Sequence, residues 1–172
     1  MKILKTFVPA LLFFLSWASC ARAGRETRSD IHQCFSDSAR KWNLPPGFLE
    51  AIAKQETDGF HNIPESDDEE HARVYGIMGL HSDAVFGHSL EEAAAASQRT
   101  LVELVNSPCA NIDGAGALIA KRLKDNGNNL AEALTHYWSH GDEETAAAAV
   151  EQVARLLGNG SSGRGSFRSE EH

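Results

Sequence analysis

The chain has 172 residues, a formal net charge of −8 and 42% hydrophobic residues. This length and composition predict one ordinary domain with a real hydrophobic core. The excess of carboxylates disfavours binding to nucleic acid or to anionic membranes, because both would repel the chain. It does not disfavour a glycan, whose recognition depends on stacking and hydrogen bonds.

Residues 1–23 have the pattern of a secretory signal peptide. Two lysines precede an apolar stretch that is densest at residues 11–15, and Ala21-Arg22-Ala23 fits a cleavage site. The apolar stretch is shorter than the roughly 20 residues of a spanning helix, which disfavours a membrane anchor. Cys20 leaves a lipoprotein as the less favoured alternative. We therefore predict a periplasmic or secreted protein, cleaved near Ala23.

Two cysteines, Cys34 and Cys109, remain after the predicted cleavage. An even number of cysteines in an exported protein favours one disulfide over two free thiols. The closed loop would be long, so the bond would stabilise the fold by about 3–5 kcal/mol in the chain-entropy model. Two buried thiols, or a pair that is kept reduced, are the alternatives.

The remaining sequence predicts a single all-α domain with short connections, because no alternating run long enough for a strand is present. Residues 24–29 are predicted as a polar lead-in, residues 30–157 as the domain and residues 158–172 as a disordered tail rich in Gly, Ser, Arg and Glu. The predicted helices cover residues 30–41, 46–57, 89–105, from Asn111 or Asp113 to 126, 130–138, and from a cap at Asp142 to 157.

Local signals set the ends of these helices. Ser29 or Asp30 is predicted to cap the first helix, and Ser89-Leu90-Glu91-Glu92 is typical of a capping box. Asp58-Gly59 and Asn126-Gly127 are predicted to end two others. Residues 61–74 are predicted to be a polar loop with five carboxylates, which we interpret as a solvated charged segment.

The second predicted helix carries a carboxylate on its apolar side. Leu49 and Ile52 share one stripe with Glu56, because an α-helix turns by about 100° per residue. Burial removes hydration from a carboxylate and raises its pKa toward the range that suits a general acid. Glu56 is therefore the candidate catalytic residue. Because it lies in the last turn, a surface residue or the partner of an arginine is the alternative.

Four motifs then follow one another along the chain. Residues 44–57 read Leu-Pro-Pro-Gly-Phe-Leu-Glu-Ala-Ile-Ala-Lys-Gln-Glu-Thr, and residues 75–80 read Tyr-Gly-Ile-Met-Gly-Leu. Residues 111–117 begin Asn-Ile-Asp-Gly, and residues 133–141 include Thr-His-Tyr-Trp-Ser-His-Gly. In this order they resemble the catalytic helix and the Gly-Leu-Met-Gln, Asn-Ile-x-x-Gly and Ala-Tyr-Asn-Ala-Gly motifs of the soluble lytic transglycosylases, a lysozyme-like family.

The positions of Cys34 and Cys109 resemble most closely the small specialised transglycosylases of secretion and conjugation systems. That likeness supports a disulfide between these cysteines. It also implies a secretion or conjugation machine as a partner of the protein. The resemblance covers roughly residues 31–141 and implies a lysozyme-like helical domain whose substrate is the peptidoglycan glycan strand. It implies no cofactor and no metal.

The resemblance also implies a mechanism. In that family one glutamic acid protonates the oxygen that joins N-acetylmuramic acid to N-acetylglucosamine. The same carboxylate then takes the proton of the muramic acid 6-hydroxyl, and a 1,6-anhydro sugar forms. Here the acid would be Glu56, Tyr137 would orient it by a hydrogen bond, and Met78 would help to shape the groove. The substrate-binding residues carried over in this way are Thr57, Tyr75, Gly76, Met78, Tyr137 and Trp138.

Three positions depart from the family pattern. Thr57 replaces a serine, Gly79 replaces a glutamine, and Trp138 replaces an asparagine while adding a surface on which a sugar could stack. The acidic residues 65–70 could supply a second carboxylate for hydrolysis, as in goose-type lysozymes. A non-catalytic peptidoglycan-binding module and a hydrolytic lysozyme are therefore the alternatives to transglycosylation.

Overall fold

The structure is a computed structural model that describes residues 27–64, 73–83, 87–138 and 143–162. Within these ranges the chain is mostly helical, as predicted for an all-α domain, with one small antiparallel sheet in which Val74 pairs with His81 and Tyr75 with Leu80. The elements are α1 (Arg28–Lys41), α2 (Phe48–Thr57), β1 (Val74–Tyr75), β2 (Leu80–His81), α3 (Ser89–Ser97), α4 (Leu101–Asn106), α5 (Pro108–Asp125), α6 (Leu130–Trp138) and α7 (Glu143–Ser162).

Two sequence predictions concern the membrane and the chain start. No helix in the described part of the chain is long and apolar enough to cross a membrane. The predicted signal peptide and its cleavage site lie outside the described residues, so export stays a prediction.

Helix α5 is the centre of the fold. Ten consecutive residues, 110–119, are buried, and the helix packs against α1, α3, α4 and α6. Glycines allow these close approaches: a methyl group on Gly116 would lie 2.6 Å from the Ser38 hydroxyl of α1. A buried helix surrounded by amphipathic helices therefore forms the core, with α7 packed on α2 and α6.

A disulfide joins α1 to the start of α5. Cys34 and Cys109 are bonded with a Cα–Cα distance of 5.3 Å, which confirms the predicted pairing. Their sequence separation is 75 residues. A loop of this length stabilises the folded chain by about 4 kcal/mol in the chain-entropy model.

A buried carboxylate reinforces the same contact. The Asp113 oxygens accept hydrogen bonds from Lys41 Nζ at 2.8 and 2.9 Å, from Trp42 Nε1 at 2.8 Å and from Arg99 Nε at 2.8 Å. Burial by itself would raise the pKa of Asp113, but these charge-assisted hydrogen bonds outweigh it and lower the pKa from its ordinary value of 3.8. Asp113 thus ties α1 and the α3–α4 connection to α5.

The first two helices begin at other residues than predicted. Thr27, rather than Ser29 or Asp30, caps α1: its hydroxyl accepts from the Asp30 N–H, and the Asp30 carboxylate accepts from the Thr27 N–H. Helix α2 begins at Phe48 rather than at residue 46, because Gly47 has a φ of +77°, which no residue inside an α-helix adopts. Its predicted end is confirmed, since Asp58 is left-handed.

The prediction of one helix over residues 89–105 is wrong, because α3 and α4 are separate. Gln98 adopts the left-handed conformation that ends α3, and Thr100 forms a capping box with Glu103 that starts α4. The box predicted at Ser89 does not form. The Ser89 hydroxyl instead accepts the backbone N–H of His81 and holds β2.

Helix α5 begins earlier than predicted. Ser107 caps it by accepting the Ala110 N–H, and Pro108 occupies the first helical position, where proline is favoured. Asn111 and Asp113 are therefore not caps but buried residues inside the helix. The predicted end at Asn126 and the bounds of α6 are confirmed.

The last helix extends past the predicted domain end at residue 157. Helix α7 continues to Ser162, although residues 158–162 were predicted as the start of a disordered tail. Extending a helix is much easier than starting one, and the alanine-rich first half of α7 has already nucleated it. The proposed cap Asp142 and residues 163–172 lie outside the described residues.

Replacement of Asp113 by asparagine should lower the free energy of unfolding by about 1–3 kcal/mol at pH 7, because Lys41, Trp42 and Arg99 then share one neutral amide oxygen in place of two charged oxygens. Since the folded pKa is lowered, this stabilisation is present above pH 3.8 and disappears as the pH falls through the folded pKa. Urea unfolding at several pH values measures both effects. Asp37→Asn is the control, because Asp37 is exposed and its partners Arg40 and Gln33 are exposed as well. Equal losses in the two variants would contradict this role.

Candidate active site

Helix α5 holds the β1–β2 hairpin through Asn111. Its Oδ1 accepts the Met78 N–H at 2.9 Å, while its Nδ2 donates to the carbonyls of Tyr75 at 3.3 Å and Leu104 at 3.1 Å. The side chain has 0% exposure, so these bonds replace its contacts with water. Its amide fills the place that a side chain on Gly76 would need, so Gly76 has a packing role, and its contact with substrate stays a prediction.

Helix α2 holds the next part of the same turn. The Thr57 hydroxyl donates to the Ile77 carbonyl at 2.8 Å and has the Ala53 carbonyl as a second acceptor at 3.2 Å. The hydroxyl of Thr57 thus fastens the end of α2 to the hairpin, and its predicted contact with substrate stays a prediction. The neighbouring Glu56 is brought against the hairpin by that link.

Glu56 lies where the buried stripe of α2 reaches the hairpin. Leu49 and Ile52 have 0% exposure, which confirms the predicted stripe, and Glu56 in the last turn is half-buried. Its side chain packs directly on Gly79, whose φ is +64°. A methyl group at Gly79 would lie 2.6 Å from Glu56 Oε2 and 2.7 Å from Glu56 Cβ. The glycine that departs from the transglycosylase pattern therefore makes the room that Glu56 occupies.

A buried tyrosine stands beside this carboxylate. Tyr137 of α6 is 3% exposed and donates its hydroxyl hydrogen to the Met78 carbonyl at 2.7 Å. Burial raises the pKa of Tyr137 well above its ordinary value, and the nearby Glu56 charge raises it further, whereas Arg122 lowers it. Tyr137 is therefore a neutral hydrogen-bond donor close to Glu56, on the hairpin backbone.

The side chain of Met78 does not line a groove, contrary to the prediction. Met78 has 0% exposure and belongs to the core, while its backbone serves Asn111 and Tyr137. Tyr75 is half-buried and packs against the core, with its carbonyl bonded to Asn111. Trp138 ends α6, but its side chain lies outside the described part of the structure.

Arg122 was missed in the sequence. Its guanidinium lies 5.8 Å from the centre of the Tyr137 ring and pairs with Glu92 of α3 at 2.9 Å. The guanidinium thus packs near the face of the Tyr137 ring, and the hydroxyl of that ring bonds to the hairpin. No local signal distinguishes Arg122 from Lys121 and Lys124, since the end of a helix generally favours cations.

A second polar cluster lies at the far end of β2. The Asp83 carboxylate accepts the Arg73 N–H at 3.2 Å and lies 3.8 Å from His81 Nδ1. The Ser82 hydroxyl donates to Glu91 of α3. This places a described carboxylate on the hairpin segment, whereas the acidic residues 65–70 lie outside the described residues.

A matched pair of glycine variants tests the contact between Glu56 and Gly79. Gly79→Ala and Gly59→Ala both place a methyl group at positive φ, which costs about 1 kcal/mol. Gly59 has nothing within 4 Å of that position. Gly79→Ala should therefore lower the free energy of unfolding by about 1–3 kcal/mol more, because the added methyl must displace Glu56. Equal losses in urea unfolding would refute the contact.

Asn111→Asp tests the anchor of the hairpin with almost no change in shape. The carboxylate would face two carbonyl oxygens and could donate to neither, so the free energy of unfolding should fall by about 3 kcal/mol or more at pH 7. Asn126→Asp is the control, since the Asn126 amide donates to one carbonyl at a helix end. Urea unfolding followed by tryptophan fluorescence gives both values, and a control that loses as much as Asn111→Asp would remove the special role of Asn111.

Comparisons with known proteins do not supply a relative for this site. The chain matches no family model, no curated protein and no solved structure. The resemblance to transglycosylases therefore depends on the four motifs, three of which contribute residues to the contacts around Glu56. Its consequences for activity are proposals.

Proposed function

We propose that the protein is a peptidoglycan lytic transglycosylase of lysozyme-like fold, with Glu56 as its catalytic acid and base. The observation that carries this proposal is the position of the Glu56 carboxylate. It is half-buried at the end of α2, packs on the backbone of Gly79 and lies near the buried Tyr137. A carboxylate held between apolar packing and a hairpin turn is suited to proton transfer.

The proposed reaction needs only one carboxylate. Protonated Glu56 gives its proton to the glycosidic oxygen as the bond from C1 of N-acetylmuramic acid to that oxygen breaks. The carboxylate then accepts the proton of the 6-hydroxyl of the same sugar, while that oxygen bonds to C1. The products are a 1,6-anhydro end and a free 4-hydroxyl on N-acetylglucosamine, and Glu56 returns to its protonated form.

The residues around Glu56 would contribute by holding the carboxylate and the neighbouring turn in place. Tyr137 keeps its proton at any physiological pH, because its pKa is raised, and it holds the Met78 carbonyl at 2.7 Å. Thr57 holds the Ile77 carbonyl at 2.8 Å. Together these bonds keep the turn rigid beside Glu56, so that the carboxylate meets the scissile bond in one place. Tyr137, Thr57 and Asn111 are therefore positioning residues in this proposal.

The proposed setting is the periplasm or the exterior of a bacterium. The Cys34–Cys109 disulfide supports it, because such bonds persist in oxidising compartments. The glycan strand of peptidoglycan is the proposed substrate, and a secretion or conjugation machine is the proposed partner. That partner is suggested by the resemblance in cysteine positions alone.

Digestion of purified peptidoglycan, with the soluble products read by mass spectrometry, tests this function. The purified protein should release anhydro-muropeptides, and Glu56→Gln should lower the rate by at least about a hundredfold, as expected for loss of a general acid. Glu151→Gln is the matched control, because Glu151 is an exposed glutamate of α7 that pairs with Arg155, away from the turn around Glu56.

The other outcomes separate the alternatives. Reducing ends in place of anhydro ends would identify a hydrolase, and Asp83→Asn would then test the second carboxylate on the hairpin segment. Binding to peptidoglycan without any product, unchanged by Glu56→Gln, would refute the enzyme and leave a binding module. In either case the transglycosylase proposal fails.

A further inference from the structure

A cavity of about 520 Å³ opens on the other side of α2, between α1 and the turn that follows α2. Phe35 and Ile77 form a floor that is 5% and 2% exposed, and Phe60 stands at the rim with 71% exposure. The volume lies within the range of about 300–1,000 Å³ that is usual for small-molecule sites. None of the predicted site residues lines it, and no sequence motif predicted a site there.

The rim carries one cation and one anion without a partner in the part of the chain that the structure describes. Arg28 begins α1 and Glu50 lies in the first turn of α2, and within the described residues neither side chain makes a hydrogen bond or ion pair. A neighbouring pair in the same lining, Lys54 and Asp58, is already joined in an ion pair. Two opposite charges therefore face the cavity from different helices, above an apolar floor.

This arrangement defines the chemistry of a ligand. A ligand that carries only negative charge would meet Glu50, and one that carries only positive charge would meet Arg28. A ligand with both a carboxylate and an amine can pair with each, while small apolar groups cover the floor. A short zwitterionic peptide has these groups at a suitable size.

We propose that this cavity binds the peptide stem that substitutes the peptidoglycan glycan, with a stem carboxylate at Arg28 and a stem amine at Glu50. The inference rests on the proposed function for the identity of the peptide. Ile77 connects the two sites, because its side chain lines the cavity and its carbonyl is held by Thr57 beside Glu56. A strand bound at Glu56 could thus place its peptide in the cavity, and the enzyme would prefer peptide-bearing strands.

Calorimetric titration with the stem tetrapeptide that an amidase releases from purified peptidoglycan tests the site without any turnover. We expect saturable binding that weakens about fivefold in Arg28→Gln and in Glu50→Gln, as for partly exposed charge pairs. Arg40→Gln is the matched control, because Arg40 is an exposed cation on the same helix that pairs with Asp37 and lines a different cavity. It should bind the tetrapeptide as the unchanged protein does.

Two results would overturn the proposal. One is the absence of tetrapeptide binding, and the other is equal binding by all three variants. A third titration, with a chitin oligosaccharide, must be unaffected by Arg28→Gln, because weakening there would identify the cavity as a sugar subsite instead. Peptidoglycan digestion separates this failure from failure of the proposed function. Cleavage without tetrapeptide binding refutes only the peptide site, and tetrapeptide binding without cleavage refutes only the transglycosylase.

Discussion

The candidate site depends on how the polar backbone of one turn is satisfied inside an apolar core. Three helices each send a side chain to the residues between β1 and β2. Asn111 from α5 bonds on both sides of Gly76, Thr57 from α2 bonds to Ile77, and Tyr137 from α6 bonds to Met78. Buried carbonyl and N–H groups without partners would cost several kcal/mol, so each helix is held to the turn and, through it, to the others.

Contacts between α1 and another side of α5 stabilise this arrangement. The Cys34–Cys109 disulfide and the Asp113 cluster attach α1 to α5 at two places, about one helical turn apart on α5 and about two turns apart on α1. Since α2 follows α1 through a short connection, the attachment of α1 to α5 also limits where α2 can lie. Asn111 and Asp113 are two residues apart and point to different neighbours. One short stretch of α5 therefore holds both the turn between β1 and β2 and helix α1.

The features of the fold and of the candidate site that depend on local sequence patterns could be predicted. The periodicity of α2 placed Glu56 on the stripe of Leu49 and Ile52, and Leu130 to Trp138 formed the helix expected from its apolar spacing. The roles of Asn111 and Asp113 could not be predicted, because both residue types commonly cap helices, and only Ser107 and Pro108 reveal the earlier start. Two partners of Asn111, Tyr75 and Met78, lie 36 and 33 residues away along the chain, and no local pattern encodes such contacts.

The structure changes how the glycine at residue 79, which departs from the transglycosylase pattern, is interpreted. Read alone, a glycine in place of glutamine removes a polar group from a groove and argues for a site that has lost its activity. In the fold, the vacant position is filled by the Glu56 carboxylate, which a side chain at residue 79 would exclude. The glycine and the half-buried acid are thus one feature. A carboxylate that fits closely against a fixed backbone can give and take a proton at nearly the same point, which is the geometry that a one-carboxylate reaction requires.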